Sequence, residues 1–269
     1  MLKTLGSIVT AKKPSALYKY IETLQGERPW GSVLDAGTGV NSLSWVQSLK
    51  TERWTAVTGA KQQAERVQNA LQNHPQNSQR PQDRIALGNW VDPDFLKGET
   101  YDTVLADYLL GAIEGFAPYL QSYLFSRLKP LTKHTLYVTG LEPYVPISRP
   151  ETEDGHILWE LGRFRDACVL MAGGNPYREY PAQWAIHHLE LSGFEVHALK
   201  HFKVSYKSRF VKAQIEIARQ SLARIDDKAL AKALSDKGAT LQAKALEHIA
   251  QHGALRHCRN YVIAARVGG

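Results

Sequence analysis

The sequence predicts a doubly wound α/β domain built on a mostly parallel, seven-stranded sheet. Three observations carry this. Short apolar runs bounded by turn residues alternate with helical stretches through the first half of the chain. Most of those runs are too apolar to have a wet face, as strands buried on both sides must be. At 269 residues, with 43% hydrophobic and 22% charged residues, the chain suits one large soluble domain with insertions better than two independent ones.

Residues 1–29 read as a helical N-terminal extension, and their start, MLKTLGSIVTAKKP, has no small-residue cleavage pattern and is not expected to be a signal peptide. SVLDAG (32–37), RWTAVTG (53–59), DRIALG (83–88), YDTVLAD (101–107) and HTLYVTG (134–140) are the first five strands. Helical patterns such as Gln62–Leu71 and Tyr119–Leu128 lie between them, which implies right-handed crossovers. QNHPQNSQRPQD (72–83) is polar and contains proline, an exposed loop, and LEPYVPISRPETEDG (141–155) is irregular. A helix from about Gly155 to Ala172 follows, then the loop GGNPYREYP and a second helix, AQWAIHHLELSG. FEVHALKHFKVSY and RNYVIAARV (259–267) are the last two strands, and residues 208–253 between them form a helical insertion. Val211, Ile215, Ala218, Leu222 and Ile225 recur at intervals of four and three, so this insertion has a face to pack, over a pocket or on a second copy in a homodimer.

The net charge of +7 is local: residues 200–224 hold Lys200, Lys203, Lys207, Arg209, Lys212, Arg219 and Arg224 against the single acid Glu216. Such a stripe attracts nucleic acid or is simply a solvated face. No apolar run reaches the length of a membrane span. Cys168 and Cys258 form no metal-type pair, the histidines have no metal-ligand spacing, and a reducing cytoplasm is the simplest expected location.

The functional signal is SVLDAGTGVNSLSW (32–45). A strand ends in Asp35, and Gly37 and Gly39 then allow the backbone to approach a ligand closely. The hydride-enzyme spacing Gly-x-Gly-x-x-Gly fails at Ser42, whereas acid-x-Gly-x-Gly is met by Asp35-Ala36-Gly37-Thr38-Gly39. Here the chain resembles the class I S-adenosylmethionine-dependent methyltransferases, over residues 30–207 and the last strand. The resemblance implies a Rossmann-like methyltransferase domain over 30–269, an antiparallel last strand, S-adenosyl-L-methionine as cofactor, and Asp35, Ala36, Gly37 and Gly39 around its methionine part. It also implies an acid after the second strand for the ribose, where this sequence has Lys61 instead. A lysine only donates hydrogen bonds. Gln62 or Glu65 as substitute, an anionic cofactor or NADPH bound by Lys61, and a decayed site are the alternatives. The resemblance further places Asn89 against the adenine amino group and Trp90 against the ring, a capped turn with a core tryptophan being the other reading of that pair.

Ligands of an open α/β sheet sit beyond the carboxyl ends of its strands, so Asp107 and Tyr108 are expected at the cofactor's reactive end. ADYLL lacks the proline pair of adenine-amino methyltransferases, and neither cysteine lies on this loop, which lowers a nucleic-acid substrate. Asp107, Tyr108 and Glu142 are the candidates for taking a proton from the acceptor, with Glu114 nearby; Glu142 equally suits capping a loop. The helix after residue 155 is apolar on two sides, so Arg163, Arg165 and Asp166 are partly enclosed charges, with Arg163–Asp166 an internal pair or part of a polar cavity. With Tyr177, Arg178 and Tyr180 they outline a pocket for a small, carboxylate-bearing substrate. An RNA methyltransferase and a non-catalytic or NADPH-binding protein are the rival functions.

Overall fold

Residues 15–72, 80–145 and 148–268 are described by the computed structural model. The first part of the expected extension (1–14), most of the expected polar loop (73–79) and residues 146–147 of the irregular stretch lie outside the described residues.

The Ser15 side chain accepts the Tyr18 amide and starts α1 (Ala16–Gln25), which ends at Gly26 with φ 60°. Then come β1 (Ser32–Asp35), α2 (Val40–Ser48), β2 (Arg53–Thr58), α3 (Lys61–Gln72), β3 (Arg84–Leu87) and β4 (Tyr101–Asp107). A one-turn helix α4 (Leu109–Ala112), α5 (Gln121–Leu128), β5 (Thr132–Leu141), α6 (Glu153–Met171) and α7 (Ala182–Leu191) follow. The chain closes with β6 (Phe194–Lys203), α8 (Ser208–Leu222), α9 (Lys228–His252) and β7 (Arg259–Val267).

The seven strands form one sheet in the order β3-β2-β1-β4-β5-β7-β6. Strands β1 to β5 pair in parallel, and β7 runs antiparallel between β5 and β6. The strand period of two decides which core each residue enters. Leu34, Val104, Leu136 and Ile263 pack on one side with Leu124 and Phe125 of α5 and Leu189 of α7. Val33, Leu105, Tyr137 and Val262 pack on the other with Ile21 of α1, Trp45 of α2 and Val67 of α3. A third cluster joins Leu158 and Leu161 of α6, Val211 of α8, Leu241 of α9, and Tyr144 and Tyr206. The apolar face of α8 is thus largely covered within the chain: Val211, Ala218 and Leu222 are buried, Ile215 is half-buried, and Ile225 is buried just beyond the helix.

Some boundaries differ from expectation for local reasons. Strand β3 is shorter than its apolar run and half-exposed, because it is an edge of the sheet. Strand β6 stops at Lys203, opposite Arg259 where its partner β7 begins, and Tyr206 then makes only an isolated bridge to Leu255. Helix α5 starts at Gln121, since Tyr119 has a left-handed backbone (φ 70°). The Thr152 side chain accepts the Gly155 amide and starts α6 at Glu153, slightly earlier than the apolar pattern suggests.

Asp35, at the end of β1, is wholly buried. The Ser42 hydroxyl donates to its Oδ2 at 2.7 Å, and no described residue bonds its Oδ1. Burial pushes this carboxyl up to about 7, with the Ser42 bond acting in the opposite direction.

A raised carboxyl favours the protonated native state, so the stability it contributes at low pH is lost as pH rises through about 7. Asp35→Asn removes this loss and keeps an acceptor for Ser42. Between pH 5 and pH 8 the variant is expected to gain roughly 2–4 kcal/mol relative to wild type in urea unfolding. Leu136→Ala, in the middle of the sheet, is expected to lower the unfolding free energy by about 2–5 kcal/mol at either pH, with an unchanged denaturant slope.

Candidate active site

The turn between β1 and α2 is clamped through its backbone. The Ala36 amide donates to Leu105 O at 2.8 Å, the Thr38 amide to Val57 O at 2.7 Å, and Trp90 Nε1 to Ala36 O at 2.9 Å. The turn therefore lies between β2 and β4, at the carboxyl edge of the sheet and at the point where the strand order reverses. A cavity of about 360 Å³ opens here, within the size range of small-molecule sites. Ala36, Gly37 and Thr38 form one wall, Leu109, Ala112 and Ile113 another, with Val57, Trp90 and Phe116 adding apolar surface. Gly37 is tightly packed: a Cβ there would lie 2.8 Å from Leu109 Cδ1 and 3.1 Å from its Cβ, so Leu109 would have to shift. Gly39 has a different role, as the residue that starts α2, and a Cβ there would meet nothing within 4 Å.

Beyond β2 the wall consists of Gln62, Gln63 and Arg66. Lys61 is the first residue of α3 and exposed, as is Glu65, and neither is part of that wall. Asn89 lines the cavity, but its amide is engaged: Nδ2 donates to Phe116 O at 2.9 Å, and Oδ1 accepts the Val91 amide at 3.2 Å. Trp90 is a core residue, 4% exposed and packed edge-on against Phe95, that also borders the cavity. Asp35 lies behind the turn and outside the cavity wall, holding α2 through Ser42.

At the end of β4 both oxygens of Asp107 are taken. Thr139 Oγ1 donates to Oδ1 at 2.6 Å and the Tyr18 hydroxyl to Oδ2 at 2.8 Å. Burial raises the Asp107 carboxyl, and these two bonds lower it. Asp107 thus ties the end of β4 to β5 and α1. Tyr108 turns the chain with φ 51° and donates its amide to Thr139, and its hydroxyl bonds no described residue. Burial and the Asp107 and Glu179 carboxylates raise the Tyr108 phenol. Glu142 Oε1 accepts His201 Nε2 at 2.8 Å and the Ala182 amide at 3.3 Å, which ties the end of β5 to β6 and α7. Glu114 accepts from Gln121 at the start of α5.

The expected arginine pocket is divided. Arg163 is exposed and stacks on Trp159 at 4.8 Å, because the helix turns it outward. Arg165, not Arg163, pairs with Asp166, at 2.5 Å, and also donates to Gln214 Oε1 and the Tyr144 hydroxyl. Arg178 is half-exposed and lies 3.7 Å from Asp166. Tyr177 borders the cofactor-sized cavity beside Gly115. Tyr180 packs on Trp184, and its carbonyl accepts the Tyr261 hydroxyl at 3.1 Å. Of the basic stripe, Lys200 lies over the Tyr20 ring and Arg219 pairs with Glu216.

Three residues that sequence reasoning did not single out belong to this region. Tyr18 comes from α1, and nothing local to its sequence announces a contact with Asp107. Tyr206 is 8% exposed with an unpartnered hydroxyl. Glu179, between Arg178 and Tyr180, has no hydrogen bond or ion pair to a described residue, and burial pushes its carboxyl up to about 7. Its position as an acid within an aromatic loop was the one available signal. Among the described residues no group of three His, Cys, Asp or Glu side chains is placed to hold a metal ion, and no helix is long and apolar enough to cross a membrane.

No protein-family model matches the chain, and no curated protein matches its sequence. Solved structures do match its fold. A candidate methyltransferase from Bacillus halodurans C-125 superposes with a TM-score of 0.57 at 13% identity, over 94% of this chain and 99% of that one. A mycolic acid cyclopropane synthase complexed with SAH and CTAB gives 0.54 at 16% identity, over 92% and 83%. Coclaurine N-methyltransferase bound to N-methylheliamine and SAH gives 0.52 at 15%, over 93% and 72%. The chain has the Rossmann-like fold of the class I S-adenosylmethionine-dependent methyltransferases.

Proposed function

We propose that the protein is an enzyme that transfers a methyl group from S-adenosylmethionine to a small molecule. The observation that carries this reading is the cavity at the strand-order reversal, walled by the Ala36–Thr38 turn, in which Gly37 packs closely on Leu109. Two structures of the same fold hold SAH, which supports the same cofactor class.

The residues present suit that cofactor. Val57, Trp90 and Phe116 offer apolar surface to a base, and the Gln62 and Gln63 amides both donate and accept, as ribose hydroxyls require. The cofactor supplies a methyl group on a sulfonium, already a good leaving group. What remains for this chain is to hold an acceptor in line with that methyl and to exclude water. Tyr108 and the 175–180 loop, which donates the Arg178 amide to Gly111 O at 3.2 Å, stand on the acceptor side of α4. A carboxylate-bearing acceptor has Arg178 alone to receive it, since Arg163 faces out and Arg165 is already paired.

Arg66 on the cavity wall favours one second reading, an NADPH-type cofactor with its 2′-phosphate on that guanidinium. Calorimetric titrations with SAH and with NADPH separate the two. SAH is expected to bind wild type. Gly37→Ala must displace Leu109 at a cost of about 1–3 kcal/mol and is expected to weaken SAH roughly ten- to hundredfold. Gly39→Ala, directed into open space, is expected to bind like wild type. Tight NADPH binding with no SAH binding overturns the methyl-transfer reading.

A further inference from the structure

On the acceptor side of α4 the chain gathers oxygen atoms that have no partner. A Cβ built on Gly111 would lie 2.9 Å from Glu179 Oε2, so the carboxylate sits directly against that helix. Tyr108 precedes the same helix, and its hydroxyl is free of hydrogen bonds to described residues. Tyr206, wedged between the Tyr144 and Phe210 rings, is 8% exposed, and its buried hydroxyl likewise bonds nothing described. Burial raises the phenols of Tyr108, Tyr144, Tyr206 and Tyr261, and the Glu179 charge acts on each in the same direction.

The cation nearest in effect does not satisfy Glu179. Arg165 already gives Nε and Nη2 to Asp166 Oδ1, at 2.9 and 2.5 Å, and Nη1 to Gln214 and Tyr144. A half-buried carboxylate with no hydrogen bond or ion pair to a described residue is a poor receptor for an anion. It is complementary to a group that is cationic, donates hydrogen bonds and tolerates aromatic faces.

We propose that the methyl acceptor is an amine, bound as its ammonium by Glu179 among Tyr108, Tyr144 and Tyr206. This rests on the methyl-transfer reading and names the substrate class of that site. The step balances as follows. Glu179 takes one proton from the bound ammonium, and the neutral nitrogen forms a bond to the methyl carbon while the carbon–sulfur bond breaks. The electron pair of that bond stays on sulfur, and the product leaves as the methylated ammonium. A carboxyl pushed up to about 7 is ionised often enough at neutral pH to hold the cation, and basic enough to accept its proton.

The test uses the full chain saturated with SAH, titrated with phenethylamine and with 3-phenylpropionate, a matched cation and anion of similar shape. Phenethylamine is expected to bind at least about tenfold more tightly than the acid, a difference of ~1.4 kcal/mol. Glu179→Gln keeps the shape and is expected to lose about tenfold or more of the amine affinity. Its SAH affinity, measured separately, is expected to match wild type. Tyr206→Phe, which removes only the unpartnered hydroxyl, is expected to weaken the amine without affecting SAH. Preference for 3-phenylpropionate, equal amine binding by wild type and Glu179→Gln, or no binding of phenethylamine to the SAH complex overturns the amine proposal. Failure of SAH itself to bind instead removes the methyl-transfer reading beneath it.

Discussion

The corner after β4 is the constraint on which the rest of the site depends. Asp107 accepts hydroxyls from Thr139 of β5 and Tyr18 of α1, and the Tyr108 amide turns back onto Thr139. These bonds hold Tyr108 in a left-handed conformation, which costs a non-glycine residue free energy and persists only where its surroundings over-determine it. The chain leaves this corner directly into α4. One side of that single turn, Leu109 and Ala112, walls the cavity; Gly111 supports the Glu179 loop. The cavity and the Glu179 loop thus meet at one short helix, and its position is set by three elements far apart in sequence.

The corner also explains why α1 belongs to the site. Its Tyr18 ring stacks on Trp45 at 4.6 Å, and Trp45 donates to Glu22 at 2.7 Å, so the helix is fixed before its hydroxyl reaches Asp107. At its other end, the Arg28 guanidinium bonds Thr135 and Tyr137 of β5. The insertion between β6 and β7 closes the opposite side. The Tyr144–Tyr206–Val211 cluster joins it to α6, and Gln214 of α8 takes one arm of Arg165. Burying a charged guanidinium is tolerable because three partners receive it. The same pairing leaves Glu179 without a hydrogen bond or ion pair to a described residue.

Carboxyls are concentrated at this sheet edge. Asp35, Asp107 and Glu179 are all raised by burial, with one orphaned oxygen on the first and none of the oxygens of the last bonded. Unpaired buried acids are expensive and are found where a site needs them.

The sheet was legible in the sequence because strand burial is a local property. Runs such as SVLD and YDTVLAD are apolar on both faces wherever they pair, and the Asp35–Gly39 turn has a chemistry that only its own residues decide. Helix 208–222 was legible for the same reason, through its period. The roles of the polar residues were not. Arg163 and Arg165 differ by two positions on α6, yet one faces solvent and the other is enclosed, and only the packing of α8 and the Tyr144 ring separates them. Glu142 meets His201, and Asp107 meets Tyr18 of α1, only through contacts that folding makes. By itself the sequence determined which segments are buried and where a ligand's backbone cradle lies, since both follow from local periodicity and turn geometry. Which acids are free and which are spent was decided only by the tertiary structure, because a hydrogen bond depends on the partner that folding brings within 3 Å.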